Sequence, residues 1–186
     1  MKRLLDIIFG TLFLVITLPL TVIASIAIKL DTKGPILFTS MRVGVDNSEF
    51  KMFKLRTMFD GTEVAESEKI KEVHKKITFV GKILRKYSID EYPQFFSVIT
   101  GKMSIVGPRP ALPSQNQLIL GRIRLGINKI KPGITGYAQI NGRDKITTEQ
   151  KLIYDQTYLN KRNFFFDIVI MAKTLLIIFN GKGISH

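Results

Sequence analysis

The sequence contains no cysteine, and only two of its 186 residues are histidines, His74 and His186. The absence of cysteine excludes disulfide bonds, thiolate zinc sites and cysteine nucleophiles. With only two histidines, the chain is not expected to contain a histidine-based catalytic triad or a metal site with several histidine ligands. The chemistry of this chain is therefore expected to rest on other residue types.

Acidic residues are few, with 15 Asp and Glu against 28 Lys and Arg, which gives a formal net charge of +13. Such an excess of positive charge is typical of a protein that binds a polyanionic partner. That partner can be nucleic acid, an anionic membrane face or phosphorylated substrates. At the same time 45% of the residues are hydrophobic, which favours the membrane. The length fits one domain with a real core.

An uncharged apolar run extends from Ile7 to Ile28. At about 1.5 Å per residue, a helix of this length is just long enough to cross a bilayer. Three interpretations are open from the pattern: a secretory signal peptide, a straight transmembrane anchor, or a helix that enters one leaflet, bends and returns.

The third interpretation depends on Pro19, near the middle of the run. Proline removes one backbone donor and clashes with the preceding turn, so the helix is expected to bend there. Positive charge on both flanks favours a cytoplasmic location for both ends of the run. The flanking basic residues are Lys2, Arg3, Lys29 and Lys33.

The segment that follows predicts a small β-hairpin. Its two short strands, Ile36–Thr39 and Phe50–Leu55, are separated by turn residues at positions 44–48. Basic side chains on the hairpin fit either a solvated surface or a phosphate contact, and they are Arg42, Lys51, Lys54 and Arg56. Further along, 60–76 predicts an exposed charged helix without chemistry. Amphipathic helices are expected over 77–86 and 149–159, and an interfacial one over 164–179.

The chain is organised around Arg85–Pro110, where basic groups bracket two adjacent carboxylates, Asp90 and Glu91. Carboxylates among arginines suit phosphate chemistry, in which one group attacks and the others hold negative charge. An alternative is a capping box from Ser88 to Glu91, in which Glu91 only ties down a helix start. Pro93 counts against that alternative, and favours a helix that begins nearer Asp90 with both carboxylates at its positive end.

Two loops contain residues that stiffen or free the backbone. In Gly107-Pro108-Arg109-Pro110, two prolines flank one arginine, which then loses less entropy when it grips a phosphate. The glycine-rich stretch Lys131–Arg143 has cationic ends and an aromatic residue, which suits a nucleotide or sugar without being a Walker loop. Taken singly, each stretch is also compatible with a rigid surface loop.

Jointly, the motifs resemble the small monotopic phosphoglycosyl transferases of bacteria, also called the bacterial sugar transferase family. The resemblance covers almost the full length of the chain. Its motifs, in order, are Lys2-Arg3 with Asp6, the helix with Pro19, Arg42-Val43-Gly44, Lys54 to Met58, Ser88 to Gln94, Ser104 to Pro110, and Lys131 to Arg143.

The resemblance implies a mostly helical α/β fold attached to one side of a membrane. Residues 1–33 would form a re-entrant membrane helix with its flanks, bent at Pro19, which decides among the three interpretations above. Residues 34–186 would form a compact cytoplasmic catalytic domain with a small β-hairpin and amphipathic interfacial helices. The implied location is the cytoplasmic face of the bacterial inner membrane.

The resemblance also implies a sugar-1-phosphate transferase. Such enzymes move a phospho-sugar from a UDP-sugar to polyprenol (undecaprenyl) phosphate, release UMP and begin glycoconjugate synthesis at the membrane. Asp90 corresponds to the family's nucleophile, which carries the phospho-sugar covalently, and Mg²⁺ is required. Asp90 and Glu91 are expected to hold the metal, and Glu91 would position it or handle a proton. Phosphate contacts are expected from Arg85, Arg109, Lys54, Arg56 and Arg143.

The sequence departs from the family pattern at four places. Leu18 stands before the proline where serine is common, and Ser40 stands where glutamine is usual. Tyr137 replaces a usual tryptophan, and Asp144 a frequent asparagine. These departures concern the helix bend and the sugar preference, and none of them touches the acidic pair.

Two other classes of function remain to be weighed. A membrane-tethered nucleic-acid binder would explain the charge, but it needs aromatic and basic stacking motifs and leaves Asp90 and Glu91 without a role. A membrane scaffold would explain the apolar ends but not the stiffened arginine loops. No nucleic-acid partner is therefore predicted. The sugar and the oligomeric state stay open, with a homodimer as one option.

Overall fold

The computed structural model describes residues 2–62, 76–142 and 145–180, which form helices and two small sheets. The helices are α1 Lys2–Asp31, α2 Phe79–Lys86, α3 Gln94–Ile99, α4 Asn116–Arg124, α5 Tyr137–Ile140, α6 Thr148–Lys161 and α7 Phe164–Asn180. The strands are β1 Leu37–Val43, β2 Glu49–Leu55, β3 Ser104–Val106 and β4 Gly133–Thr135. The prediction of a mostly helical α/β fold is confirmed. Most of the charged segment 60–76, together with Arg143 and Asp144, lies outside the described residues.

Helix α1 continues through Pro19 without interruption, and the bend that the sequence predicts at this residue stays a prediction. A single proline removes one hydrogen bond from a ladder of 30 residues, and the turns on either side persist. Hydroxyl groups near it donate to carbonyls of the preceding turn, as Thr21 does to Thr17 O at 2.9 Å and Ser25 to Thr21 O at 2.7 Å. Such bonds satisfy the hydroxyls inside an apolar segment and bend helices slightly. By length and composition alone, α1 could cross a membrane.

Among the residues that the structure describes, only the two ends of α1 are buried against other parts of the chain. Its buried residues are Asp6, Gly10, Ala24 and Ile28. The stretch between Gly10 and Ala24 is half-buried or exposed, although it consists almost entirely of apolar residues. The middle of α1 is therefore an apolar surface that the described residues after it leave largely uncovered.

The predicted β-hairpin is present. β1 pairs antiparallel with β2, with Leu37 opposite Leu55 and Val43 opposite Glu49. β1 extends four residues beyond its predicted end at Thr39, and the Val43 amide also donates to Ala111 O at 3.0 Å. Side chains alternate across a strand, so Phe50 and Met52 of β2 are buried on one face, and Leu55 at its end is buried on the other.

A second sheet was not predicted from the sequence. β3 and β4 pair in parallel, with Ser104 opposite Gly133 and Val106 opposite Thr135. The stretch Lys131–Arg143, expected to be one glycine-rich loop, instead forms β4 and the short helix α5 where it is described. A Cβ atom on Gly133 would lie 2.1 Å from the Gly107 nitrogen, so glycine lets the two backbones meet.

Two hydrophobic clusters join these elements. The larger consists of Phe50, Met52, Val98, Met103, Ile105, Val106, Tyr158 and Ile170, and links the hairpin to β3, α6 and α7. The smaller consists of Ala24, Ile28, Leu55, Leu84 and Ile89, and links the second half of α1 to α2 and the hairpin. The hairpin thus contributes to both clusters, and Phe9 near the start of α1 packs against the larger one.

Helices α2 and α7 expose large apolar side chains. Phe79 on α2 is 73% exposed and Phe165 on α7 is 78% exposed. An exposed apolar surface marks a membrane or a partner contact. Helix α7 covers the predicted interfacial segment, and Asp167 in its first turn pairs with Lys2 at 2.5 Å. The interfacial location of these helices stays a prediction.

Candidate active site

The acidic pair lies on a 3₁₀ turn, Ile89–Glu91, and not at the start of an α-helix as the sequence predicted. Pro93 has no N–H to continue an α-helical ladder, so helix α3 begins after it, at Gln94. The residue before the turn, Ser88, adopts a left-handed conformation with φ 54°. Its side chain makes no capping bond, so the capping box is not formed.

Asp90 and Glu91 are both buried, each with 7% of its surface exposed. Lys54 of β2 lies beside both carboxylates, with its Nζ 2.7 Å from Glu91 Oε1 and 3.8 Å from Asp90 Oδ2. A buried carboxylate is costly unless it is paired, and one cation here stabilises negative charge on two. The structure therefore brings together the predicted residues Asp90, Glu91 and Lys54.

Arg109 reaches the same place from the loop that follows β3. Its Nη1 lies 3.6 Å from Glu91 Oε1, and its side chain is 35% exposed. The loop backbone is held on either side of it, since Gly133 N donates to Pro108 O at 2.9 Å and Val43 N to Ala111 O at 3.0 Å. A guanidinium on a fixed backbone, beside a carboxylate and open to solvent on one side, is placed to bind an anion.

Arg42 belongs to this cluster, although from the sequence alone its place on the hairpin fits a solvated surface as well as a phosphate contact. Its guanidinium donates to Pro110 O and to Ser40 Oγ, both at 3.3 Å. Burial, together with the nearby charge of Arg109, lowers the pKa of Arg42 to about 10, and the charge of Glu91 opposes this shift. With this pKa, Arg42 is still a cation at neutral pH.

The strand register contains the signal that would have found Arg42. Arg42 lies opposite Phe50, and Lys54 lies opposite Phe38. Counting by twos along each strand puts Arg42 and Lys54 on the same face of the hairpin. The position of Arg42 therefore follows from the position of Lys54 once the pairing is known.

The other predicted phosphate ligands have different surroundings. Arg85, in the last turn of α2, donates through Nε to Thr57 Oγ1 at 2.8 Å. The Arg56 guanidinium donates to Lys33 O at 2.6 Å and Thr32 O at 2.8 Å, just after the end of α1. These contacts give Arg56 a structural position and do not support phosphate binding by its side chain. Arg143 lies outside the described residues.

The acidic pair has the chemistry of a partial magnesium site. No group of three or more metal-ligating side chains occurs among the described residues. Mg²⁺ is commonly held by only one or two protein carboxylates, and substrate phosphates and water supply the other ligands. The adjacent carboxylates of Asp90 and Glu91 fit that pattern, and Lys54 and Arg109 would share Glu91 with the ion.

Comparison with known proteins identifies the family. A family model described as bacterial sugar transferase matches residues 1–181. Two proteins named UDP-glucose:undecaprenyl-phosphate glucose-1-phosphate transferase, from Escherichia coli and Klebsiella pneumoniae, are 39% and 38% identical to this chain. Each alignment covers 98% of this chain and 41% of the relative, so the chain spans about two fifths of their length.

A shorter relative matches along nearly all of its length. The uncharacterized sugar transferase EpsL of Bacillus subtilis is 34% identical, and the alignment covers 100% of this chain and 91% of that protein. The resemblance inferred from the sequence motifs is therefore confirmed. From the family match and this alignment, we conclude that the chain belongs to the bacterial sugar transferase family.

Proposed function

We propose that this chain moves a phospho-sugar from a UDP-sugar to undecaprenyl phosphate and releases UMP. The observation that supports it most is the buried pair of Asp90 and Glu91 with Lys54 between them and Arg109 beside them. Relatives named as undecaprenyl-phosphate glucose-1-phosphate transferases add support for the two substrates. UDP-glucose is accordingly the first sugar donor to test.

In the first half of the reaction, a carboxylate oxygen of Asp90 attacks the phosphorus nearest the sugar. A bond forms between that oxygen and phosphorus, the bond to the bridging diphosphate oxygen breaks, and UMP leaves with that oxygen. An ionised carboxylate needs no base to attack. Arg109 and Arg42 lie where they would share the charge that develops on the phosphoryl oxygens.

In the second half, a phosphate oxygen of undecaprenyl phosphate attacks the same phosphorus. The bond to Asp90 breaks, the carboxylate is restored, and the product is undecaprenyl diphosphosugar. Glu91 Oε1, between Lys54 and Arg109, suits a role in positioning these groups and the metal. Because the two substrates react in turn with Asp90, ping-pong kinetics are expected.

Mg²⁺ is proposed as the cofactor, held by Asp90 and Glu91. When bound, it would supply positive charge that offsets repulsion between the acidic pair and the diphosphate. Lys54 remains necessary beside it, because it keeps Glu91 paired in a buried position.

The packing of α1 supports a re-entrant path on the cytoplasmic face of the inner membrane. At its start, Asp6 accepts bonds from Ser104 Oγ at 2.9 Å and Ile105 N at 3.0 Å. At its end, Asp31 Oδ2 accepts from Val80 N at 3.1 Å. Both ends thus contact the same body, whereas a membrane-spanning helix would leave one of them on the far side. The uncovered apolar middle of α1 would enter the lipid.

Incubation of the chain with UDP-glucose, without a lipid acceptor, tests the mechanism. We expect about one UMP per active chain and a mass increase of one phospho-sugar on the peptide that contains Asp90. Asp90→Asn should abolish both signals, since an amide is a far weaker nucleophile. Glu91→Gln should slow turnover strongly and still allow the adduct to form.

Two results would contradict this proposal. One is full turnover by Asp90→Asn. The other is UMP release, with every UDP-sugar tried, only when the lipid acceptor is also present, which would indicate a sequential reaction without a covalent intermediate.

A further inference from the structure

Arg122 of α4 holds the backbone of Arg109. Its Nη1 donates to Arg109 O at 2.9 Å. The flanking carbonyls of the loop are bound by backbone amides or by Arg42, which is itself part of the candidate site. Arg122 is thus the contact that reaches the Arg109 backbone from α4.

The position of Arg122 is fixed by Asp155 of α6. Nε and Nη2 of Arg122 both donate to Asp155 Oδ2, at 3.0 and 2.6 Å. The side chains are 11% and 2% exposed, so the ion pair is shielded from solvent. Burial raises the pKa of the Asp155 carboxyl, and the Arg122 charge opposes that shift. In a buried pair, loss of either partner leaves an uncompensated charge, so the two positions depend on each other.

Close packing of α4 on α6 brings the pair together. A Cβ atom on Gly121 would lie 2.4 Å from Leu152 Cδ1, so glycine permits the approach. Leu152 and Asp155 are three residues apart on α6 and share one face, which therefore meets α4 at both places. The geometry uses three N–H groups of one guanidinium, two for Asp155 and one for the Arg109 carbonyl.

We propose that Arg122, fixed by Asp155, is a positioning residue that sets where Arg109 faces the acidic pair. The inference rests on the proposed function, in which Arg109 binds a substrate phosphate. Arg122 itself acts on the backbone of the loop and does not touch the reacting atoms. A lysine at this position could not replace it, because one ammonium cannot present the planar fork to both acceptors.

A double-mutant cycle tests this role. UMP release from UDP-glucose is measured for the wild type, Arg122→Lys, Arg109→Ala and the double variant, all as the full chain in detergent. Arg109→Ala keeps the carbonyl that Arg122 binds but removes the side chain that it would position. We expect Arg122→Lys to lower turnover about tenfold in the wild type and less than about twofold in the Arg109→Ala background, because residues that act through one another are not additive.

Two further variants separate positioning from loss of folding. Asp155→Asn keeps the shape of the carboxylate and should lower turnover in the same direction, again only when Arg109 is present. Lys129→Gln is the matched control, since it breaks the exposed ion pair between Lys129 and Asp46, also at 2.6 Å, and should leave turnover unchanged. The melting temperature of every variant is recorded, so that a loss of folded protein is visible.

The outcomes distinguish this inference from the proposed function. If Arg122→Lys lowers turnover by the same factor in both backgrounds, or does not lower it at all, the positioning role is wrong. If Arg109→Ala retains full turnover, or no UDP-sugar yields UMP with the wild type, the proposed function fails first. A strong loss in Arg109→Ala, together with a clear loss in Arg122→Lys alone that nearly disappears in the Arg109→Ala background, supports both.

Discussion

Arg56, just after strand β2, and Arg109, in the loop after β3, have guanidinium groups with different surroundings. Arg56 is 5% exposed, and its guanidinium binds the backbone carbonyls of Thr32 and Lys33. Arg109 is open to solvent on one side and lies 3.6 Å from Glu91. One arginine thus fastens the end of α1, and the other faces the acidic pair. The acceptors that the fold brings to a guanidinium decide its role.

The glycine at position 34 explains why Arg56 can take this place. Gly34 has φ +120°, and a Cβ atom there would lie 2.0 Å from Arg56 Nη1. Any other residue would be strained in that conformation and would collide with the guanidinium. Gly34 and Arg56 therefore form one unit that turns the chain from α1 into the hairpin.

Substitution of Arg109 should give the larger effect on turnover. Arg109→Lys keeps the charge but loses the planar fork that grips a phosphate through two N–H groups. We expect turnover to fall by about ten- to a hundredfold, as for loss of a charge-assisted contact of about 1.5–3 kcal/mol. The measurement is UMP release at saturating UDP-glucose. If Arg109→Ala retained turnover near that of the wild type, Arg109 would have no role in phosphate binding and would be only part of a rigid surface loop.

Substitution of Arg56 should act on stability instead. Arg56→Ala leaves carbonyls of Thr32 and Lys33 without their donor, and a lost bond to a charged group costs roughly 1.5–3 kcal/mol. We expect the melting temperature in detergent to fall by about 3–10 °C. The turnover of the protein that remains folded should stay within about twofold of the wild type.

The comparison would be wrong if the two variants exchanged their effects. A stable Arg56→Ala chain with turnover a hundredfold lower would indicate that Arg56 contacts substrate after all. Melting and UMP release are therefore measured on the same preparations. The UMP assay is run at a temperature below the first melting transition.

Much of the site could be predicted because it lies in local motifs. Asp90 and Glu91 are adjacent in the chain, and two prolines mark Arg109, so residue type and spacing were enough to select them. The hairpin was predicted because alternating side chains and turn residues are local signals. Lys54 was one of several basic residues on that hairpin, and the family resemblance selected it as a phosphate contact.

The remaining parts depend on contacts between distant residues. The parallel pairing of β3 and β4 joins segments about 30 residues apart, and each strand has only three residues. Arg42 lies on the hairpin and Arg56 directly after it. The strand register places Arg42 in the candidate site, whereas the carbonyls just after α1 bind Arg56. The 3₁₀ turn at Ile89–Glu91 results from Ser88 and Pro93 together, which propensity taken one residue at a time does not describe.

The two ends of α1 allow a test of its path through the membrane. The chain has no native cysteine, so Lys2→Cys and Lys33→Cys each create a single labelling site without background. We expect an impermeant thiol reagent to label neither variant in intact spheroplasts and both after permeabilisation. Lys33 is joined directly to the hairpin, so it serves as the matched control for the side on which the catalytic part lies. Labelling of the Lys2→Cys variant from outside would contradict the re-entrant path.

Replacement of Pro19 should have the smallest effect, because the anchors at the start of α1 oppose a spanning form. Pro19→Ala restores a backbone donor and favours a straight helix. However, a spanning helix would have to release Asp6 from Ser104 and Ile105. It would also have to release Arg3 from the carbonyls of Val98 and Ile99, to which it donates at 2.6 Å each. Each of those charge-assisted bonds contributes about 1.5–3 kcal/mol, so together they outweigh the roughly 3 kcal/mol that proline costs inside a helix. External labelling of Lys2→Cys should therefore rise only slightly with Pro19→Ala, and clearly more when Asp6→Asn is added. Equal labelling with and without Asp6→Asn would mean that the bend, and not the docked end, keeps α1 on one side of the membrane.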